Sequence, residues 1–352
     1  MVYVNARFLT QPITGVQRFA IEISLQLKKM FKGEIVFVAP KGVPANDYQK
    51  ELQPEIVGNH TGHLWEQLDL PLFLKKRKAT ALICLCNTAP ILFKKKYVVV
   101  HDIAFIRYPS TFAFSFRLLY RILIPLILKT SRQIFSVSEF SAAEITSYYR
   151  CSKKICVLHN AVGNSFFKGT PQKEVPERNL LAVSSVKENK NFQFILDVMK
   201  AVVKTEKDVK LLFVGDMNAK NFNSVDVDWI KECENICLLG RVSDEELIRL
   251  YTTATAFLFP SLYEGFGIPV LEAQACGCPV ISSNSASMPE VLKQSAVLLP
   301  PNNEKLWEKA IIDLCRNRTL RDELIGKGYE NVRRFSWEKS AKILYEAVKK
   351  AL

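Results

Sequence analysis

The sequence predicts an α/β protein made of two doubly wound parallel sheets, with ligands bound at the carboxyl ends of the strands. Three observations carry this reading. Short apolar runs alternate with amphipathic helical stretches through both halves of the chain. A stretch rich in Gly, Pro, Lys and Glu, residues 163–179, reads as a linker between the halves. With 352 residues, 48% of them hydrophobic, the chain can supply two separate cores.

In the first half, residues 3–6, 35–39, 81–86, 97–101, 134–137 and 155–159 have the apolar character and length of strands. Between the first two, Val16, Phe19, Ala20, Ile23, Leu27 and Met30 fall on one helix face. The second half repeats the alternation with strands at 180–184, 211–214, 236–239, 256–259, 280–282 and 296–299. Ser243-Asp244-Glu245-Glu246 has the form of a capping box at a helix start, and Ser141-Ala142-Ala143-Glu144 has the same form in the first half. Three helical stretches close the chain from 303 to 352.

Charge is unevenly placed. Residues 1–165 carry 22 Lys and Arg against 10 Asp and Glu, so they hold +12 of the net +13. A one-sided basic field favours an anionic partner, a phosphate-rich membrane surface or nucleic acid. Lys75-Lys76-Arg77-Lys78 and Lys94-Lys95-Lys96 lie at the ends of helix or strand patterns, where a solvated surface role is the usual explanation. Nine cysteines, odd in number and without a Cys-x-x-Cys pair, fit reduced thiols in the cytosol. The start, Met1-Val2-Tyr3-Val4-Asn5, reads as a strand and not as a signal sequence. The aliphatic run 122–128 is too short to cross a bilayer.

The most informative segment is 257–283. Phe257 to Phe259 suits a buried parallel strand, and Gly265 and Gly267 let the following backbone turn sharply and approach a ligand. Pro269 suits the first turn of a helix that Gly277 ends. Backbone N–H groups at a helix start attract anions. Glu264 in the turn and Glu272 one helical turn inside can accept hydrogen bonds from vicinal hydroxyls. The plainer reading is that Glu272 favours the helix dipole and Glu264 is a solvated loop acid.

Glu264 and Glu272, within Glu-Gly-Phe-Gly-Ile-Pro-Val-Leu-Glu-Ala, resemble the signature of the retaining glycosyltransferases of family 4, and the likeness covers nearly the whole chain. It implies the GT-B architecture: two Rossmann-like domains facing a central cleft. Residues 1–165 would form the acceptor-side domain and 166–335 the nucleotide-sugar donor domain, with 336–352 a terminal helix crossing back to the first domain. That helix would pack Ile343, Leu344 and Ala347 there.

The resemblance also assigns roles. Lys190, in the turn before a helix beginning near Asn191, aligns with the lysine that neutralises the donor diphosphate. Where many relatives carry its arginine partner this chain has Ser185, which offers a hydrogen bond without charge, and Asn189 stands where another subgroup places arginine. Thr14-Gly15-Val16-Gln17-Arg18 resembles the glycine loop near the donor phosphates, with Arg18 adding charge. His101 matches the histidine at the reacting sugar, whereas His159 reads as structural. Val242 matches the position that meets the base through its backbone, and Gly265, Phe266 and Gly267 form the turn around the donor. In this scheme the acceptor attacks from the leaving-group face, Glu264 orients the sugar and Glu272 holds the ribose.

No metal or cofactor is expected. Asp226-Val227-Asp228 has the form of a metal-binding motif of the other major transferase fold, but its place before Trp229-Ile230-Lys231 suits a helix N-terminus. Residues 105–132 interleave aromatic and aliphatic side chains with Arg117, Arg121 and Lys129, which fits either an anionic lipid interface or a core helix with one basic face. The resemblance favours a glycan or lipid-linked acceptor in cell-surface polysaccharide synthesis, a cytoplasmic location, peripheral on the inner membrane face, and no nucleic-acid partner. A non-catalytic sugar-nucleotide binding module and a sugar-nucleotide epimerase use the same architecture. A dinucleotide oxidoreductase fits poorly, because 265–270 lacks the third glycine of that fingerprint.

Overall fold

A computed structural model describes residues 1–168, 178–215 and 227–352. The chain forms two compact units. One comprises 1–107, 112–160 and 336–352; the other comprises 108–111 and 161–335.

The first unit is a seven-stranded parallel sheet, with β1 (Val2–Asn5), β2 (Ile35–Ala39), β3 (Glu55–Ile56), β4 (Ala81–Cys84), β5 (Lys96–Val99), β6 (Gln133–Ser136) and β7 (Ile155–Val157). The order is β3-β2-β1-β4-β5-β6-β7, so the winding reverses beside β1, where Val2 lies between Ile35 and Ala81. Parallel strands covered on both faces should be apolar throughout, and β1 and β4 are fully buried. β3 was not expected: two half-exposed residues at a sheet edge carry no apolar run.

The Gly15–Phe31 helix buries Phe19, Ala20, Ile23 and Leu27 as its periodicity requires. The Glu139–Tyr149 helix starts one turn earlier than expected. Ser138 is its N-cap, accepting from Ser141 N–H at 3.0 Å, and Glu144 instead pairs with Arg107 at 2.6 Å. The Trp337–Lys349 helix packs Trp337 against Phe19 and Tyr345 against Phe31, while Ser340 donates to His159 O at 2.6 Å. Its buried seam is Trp337, Ala341, Leu344 and Val348. Ile343 lies off that seam and is exposed, contrary to the expectation.

The second unit holds a six-stranded parallel sheet in the order β10-β9-β8-β11-β12-β13. Its strands are β8 (Asn179–Val183), β9 (Lys210–Val214), β10 (Ile236–Gly240), β11 (Ala256–Phe259), β12 (Val280–Ser283) and β13 (Val297–Leu299). The reversal falls between β8 and β11, which opens the crevice where such sheets take ligands. Of the linker 163–179, Asn164–Lys168 forms a 3-10 turn and 169–177 lie outside the described residues. Phe166 is buried in this unit, with its ring 6.4 Å from that of Tyr251 and its carbonyl accepting from Cys276 Sγ. Asp226 also lies outside the described residues; the Val227–Glu232 helix follows it.

Candidate functional site

The segment after β11 folds into the expected turn and helix. Gly267, with φ +90°, is the N-cap of the Ile268–Ala275 helix, and Pro269 occupies its first turn. The backbone angle requires glycine, and a Cβ there would also lie 2.5 Å from the flexible end of Met288, which would have to shift.

Two neighbouring elements brace the turn through its backbone. From the β8 side, Asn189 Nδ2 donates to Tyr263 O at 3.1 Å and Asn189 O accepts from Leu262 N at 2.8 Å. Asn191 donates to Pro260 O at 3.3 Å and Pro301 O at 2.9 Å while holding φ +58°, a left-handed conformation that Asn tolerates. From the far side, the buried Ser287 hydroxyl reaches Glu264 O at 3.0 Å and Phe266 O at 3.2 Å. None of these braces was read from the sequence. Asn189 is buried and hydrogen-bonded, so it serves the loop and does not stand in for an arginine facing solvent.

The turn carries one carboxylate that is ion-paired across to the segment after β8. Glu264 forms an ion pair with Lys190, which ends the short 3-10 turn Glu188–Lys190, and both side chains are largely shielded, at 13% and 21% exposure. The two residues follow β11 and β8, the strands flanking the reversal. A small cavity opens beside Lys190 at those strand ends, walled by Ser184, Phe192, Phe259, Pro260 and Ser261. Ser185 is half-buried just beyond Ser184, and Val242 sits between β10 and the Asp244–Thr253 helix.

Glu272 is buried one turn inside the Ile268–Ala275 helix. Burial, together with the Glu272 carboxylate, pushes the Tyr251 phenol well above its ordinary range and the Cys276 thiol up to about 12. The Phe266 side chain packs edge-on against Phe335 at 5.4 Å, so only its backbone is available to a ligand.

On the first unit, Thr14 caps the Gly15–Phe31 helix through Gln17, and Gly15 is its exposed first residue. Burial raises the Glu22 carboxyl above its ordinary range, and Arg18 offsets part of that rise. His101 follows β5 and is buried, with Nε2 2.8 Å from Leu85 O and its ring edge-on to Phe19 at 4.9 Å. Burial lowers its pKa to about 4, so the imidazole is neutral at pH 7; with Nε2–H donating to Leu85, Nδ1 carries the lone pair. Phe19 thereby ties the helix bearing Gly15 and Arg18 to His101.

Among the described residues no group of three or more His, Cys, Asp or Glu side chains is placed to hold a metal ion.

Residues 165–331 match the family described as glycosyl transferases group 1. The O-antigen chain mannosyltransferase RfbU of Salmonella typhimurium is 32% identical over 65% of this chain and 64% of its own length. O-antigen chain mannosyltransferase B of Escherichia coli is 28% identical over 60% of this chain and 58% of its own. This chain thus spans less than two thirds of either relative. In fold it is similar to sucrose-phosphate synthase of Thermosynechococcus elongatus, with a TM-score of 0.76 at 16% identity, covering 99% of this chain and 98% of that one. It is similar too to WaaG, a glycosyltransferase involved in lipopolysaccharide biosynthesis, with a TM-score of 0.70 at 13% identity over 99% of both chains. The chain therefore has the GT-B fold, and its residues 165–331 are similar to the group 1 glycosyl transferases.

Proposed function

We propose that the chain transfers a sugar, with retention and without a metal, from a UDP- or GDP-sugar to a glycan or lipid-linked glycan in cell-surface polysaccharide synthesis. The observation that carries this is the braced Lys190–Glu264 pair at the strand reversal of the second unit. Both curated relatives are named mannosyltransferases, so nucleotide-linked mannose is the first donor to try.

The chemistry follows from charge. Departure of a nucleoside diphosphate leaves negative charge on phosphate and positive charge at the anomeric carbon, and preorganised cations lower that barrier. Lys190 exchanges its carboxylate partner for the diphosphate. Glu264, released from the ion pair, accepts hydrogen bonds from sugar hydroxyls. Glu272, one turn deeper, holds the ribose, and the backbone at Val242, Gly265, Phe266 and Gly267 shapes the nucleotide end. Ser185 contributes a hydrogen bond where the family's arginine would bring charge, so Lys190 carries more of the compensation in this chain. On the first unit, His101 offers Nδ1 to a sugar hydroxyl, and Gly15 and Arg18 act toward the donor phosphates. The protein works in the cytoplasm, peripheral to the inner face of the membrane; among the described residues no helix is long and apolar enough to cross one.

The test is transfer from GDP-mannose and a panel of UDP-sugars to extracted lipid-linked glycans, with and without EDTA, and anomeric configuration read by NMR. Retained configuration, unaffected by EDTA and lost in Lys190→Met, is expected. Inversion, or loss with EDTA, would overturn the proposed mechanism.

A further inference from the structure

We infer that His63, held by the buried Glu66 carboxylate at the strand reversal of the first sheet, accepts a hydrogen bond from a hydroxyl of the acceptor glycan, with Glu66 as its positioning residue. This rests on the transfer reaction proposed above and assigns a contact at its acceptor end.

The winding of the first sheet reverses beside β1, so the carboxyl ends of β1 and β4 flank a crevice. Buried polar groups converge there. Asn5, the last residue of β1, donates from Nδ2 to Glu66 Oε1 at 2.7 Å. Thr88, in the segment after β4, donates its hydroxyl to the same oxygen at 3.1 Å and accepts from Arg7 Nη2 at 2.9 Å. Arg7 Nε stands 3.6 Å from that oxygen too. One oxygen of Glu66 therefore does all the tying between strands. The other, Oε2, is buried without a hydrogen-bond partner, and so is His63 Nδ1, which faces it at 3.5 Å. Asn5 and Thr88 need only an acceptor and Arg7 only the charge that Oε1 presents, so Oε2 is free to orient the imidazole. Burial alone would raise the Glu66 carboxyl, yet its contacts with His63, Arg7 and Thr88 hold it below its ordinary range. A carboxylate there accepts from Nδ1–H, which leaves the lone pair on Nε2.

The imidazole is fixed before any ligand arrives. His63 and Glu66 share a helix face at i and i+3, and Trp65–Asp69 winds as a π-helix, with Leu70 N–H donating to Trp65 O. That winding recurs at functional sites. Side chains on either side of Glu66 pin the stretch: Trp65 Nε1 donates to Val57 O at 2.8 Å and Gln67 Nε2 to Ala89 O at 3.0 Å. The His63 ring meets Tyr120 edge-on at 6.0 Å, and Tyr120 is stacked on Phe116 at 3.9 Å. With 31% of its side chain exposed, His63 has no partner for Nε2 among the described residues. A lone pair presented this way requires a hydrogen-bond donor. Sugar hydroxyls supply donors, whereas the diphosphate of a nucleotide offers only acceptors.

Nitrogen-15 NMR of the full chain, labelled in its four histidines, tests the arrangement, with the His63 signals assigned by their loss in His63→Phe. At mildly alkaline pH the expected tautomer is Nδ1–H. It should invert to Nε2–H in Glu66→Gln, whose amide can donate to Nδ1. Oligosaccharide released from the lipid-linked glycans of the source organism should shift the His63 signals and leave those of the exposed His60 in place. In transfer assays His63→Phe, which keeps a ring against Tyr120, should raise the acceptor KM about five- to tenfold, with donor KM and thermal midpoint unchanged and kcat changing less. GDP and UDP binding is measured on the same samples. Oligosaccharide contact at His63 without nucleotide binding would remove the transferase reading and leave the glycan contact standing. An Nε2–H tautomer in the wild type, His63 signals unmoved by the oligosaccharide, or an unchanged acceptor KM in His63→Phe would each overturn the inference, whether or not nucleotide binds.

Discussion

Acidification should weaken the first unit through one imidazole. His101 is buried with a pKa of about 4, against 6.5 for an unperturbed histidine. Between those values the unfolded chain binds a proton that the folded chain refuses, so folding stability is full above 6.5 and falls as pH drops toward 4. At 1.36 kcal/mol per pH unit the whole window is worth about 3 kcal/mol, of which about 2 kcal/mol is lost between pH 7 and pH 5. Hydrogen exchange of the β1, β4 and β5 amides reads the opening of the first unit alone, corrected for the intrinsic pH dependence of exchange. The comparison protein is His101→Gln, which keeps a donor for Leu85 O but does not titrate. Its baseline stability is lower, since Phe19 loses an aromatic partner, but its slope between pH 7 and pH 5 should be flatter by about 2 kcal/mol. Parallel slopes would refute the reasoning, because they would show that His101 charges in the folded state as readily as in the unfolded one.

The remaining expectations concern the turn after β11. Asn189→Ala removes the one side-chain brace, to Tyr263 O, at a buried site and should cost about 1–3 kcal/mol in chemical denaturation of the second unit, whereas the half-buried Ser185→Ala should stay within about 0.5 kcal/mol. Gly267→Ala forces a side chain into φ +90° against Met288 and should lower stability by about 1–3 kcal/mol, read as a drop in thermal midpoint, with Met288→Ala relieving only the steric part. Glu272→Ala should weaken nucleotide affinity more than Glu264→Ala does, in titrations with UDP and GDP; equal affinity in Glu272→Ala and wild type would remove the ribose assignment.

What the residues disclosed in advance follows from how each element is stabilised. Parallel strands buried on both faces need apolar side chains at every position, so runs such as 35–39 and 256–259 coincide with β2 and β11. β3 leaves no apolar pattern because a two-residue edge strand needs only backbone pairing with Val38 and Ala39. The Glu139–Tyr149 cap was misplaced because Ser138 and Ser141 are both plausible caps by composition, and backbone geometry alone selects Ser138. Ile343 faces solvent because a helical repeat fixes spacing but not phase, and the buried seam of the terminal helix runs through Trp337, Ala341, Leu344 and Val348. At the site, the Glu264–Lys190 pairing joins residues whose roles came from likeness to a family. Asn189, Asn191 and Ser287 act on main-chain carbonyls, which leave no spacing pattern; only the left-handed Asn191 just before a helix carries a faint signal.

The central claim is that the braced turn of the second unit holds a nucleotide diphosphate through Lys190. Calorimetric titration of the wild type, Lys190→Met and Glu264→Gln with GDP and UDP tests it most directly. The account predicts binding of one nucleotide by the wild type, a loss of about tenfold or more in Lys190→Met, where a cation facing phosphate is gone, and a much smaller change in Glu264→Gln, whose carboxylate faces the sugar that these nucleotides lack. Nucleotide binding unchanged in Lys190→Met would contradict it.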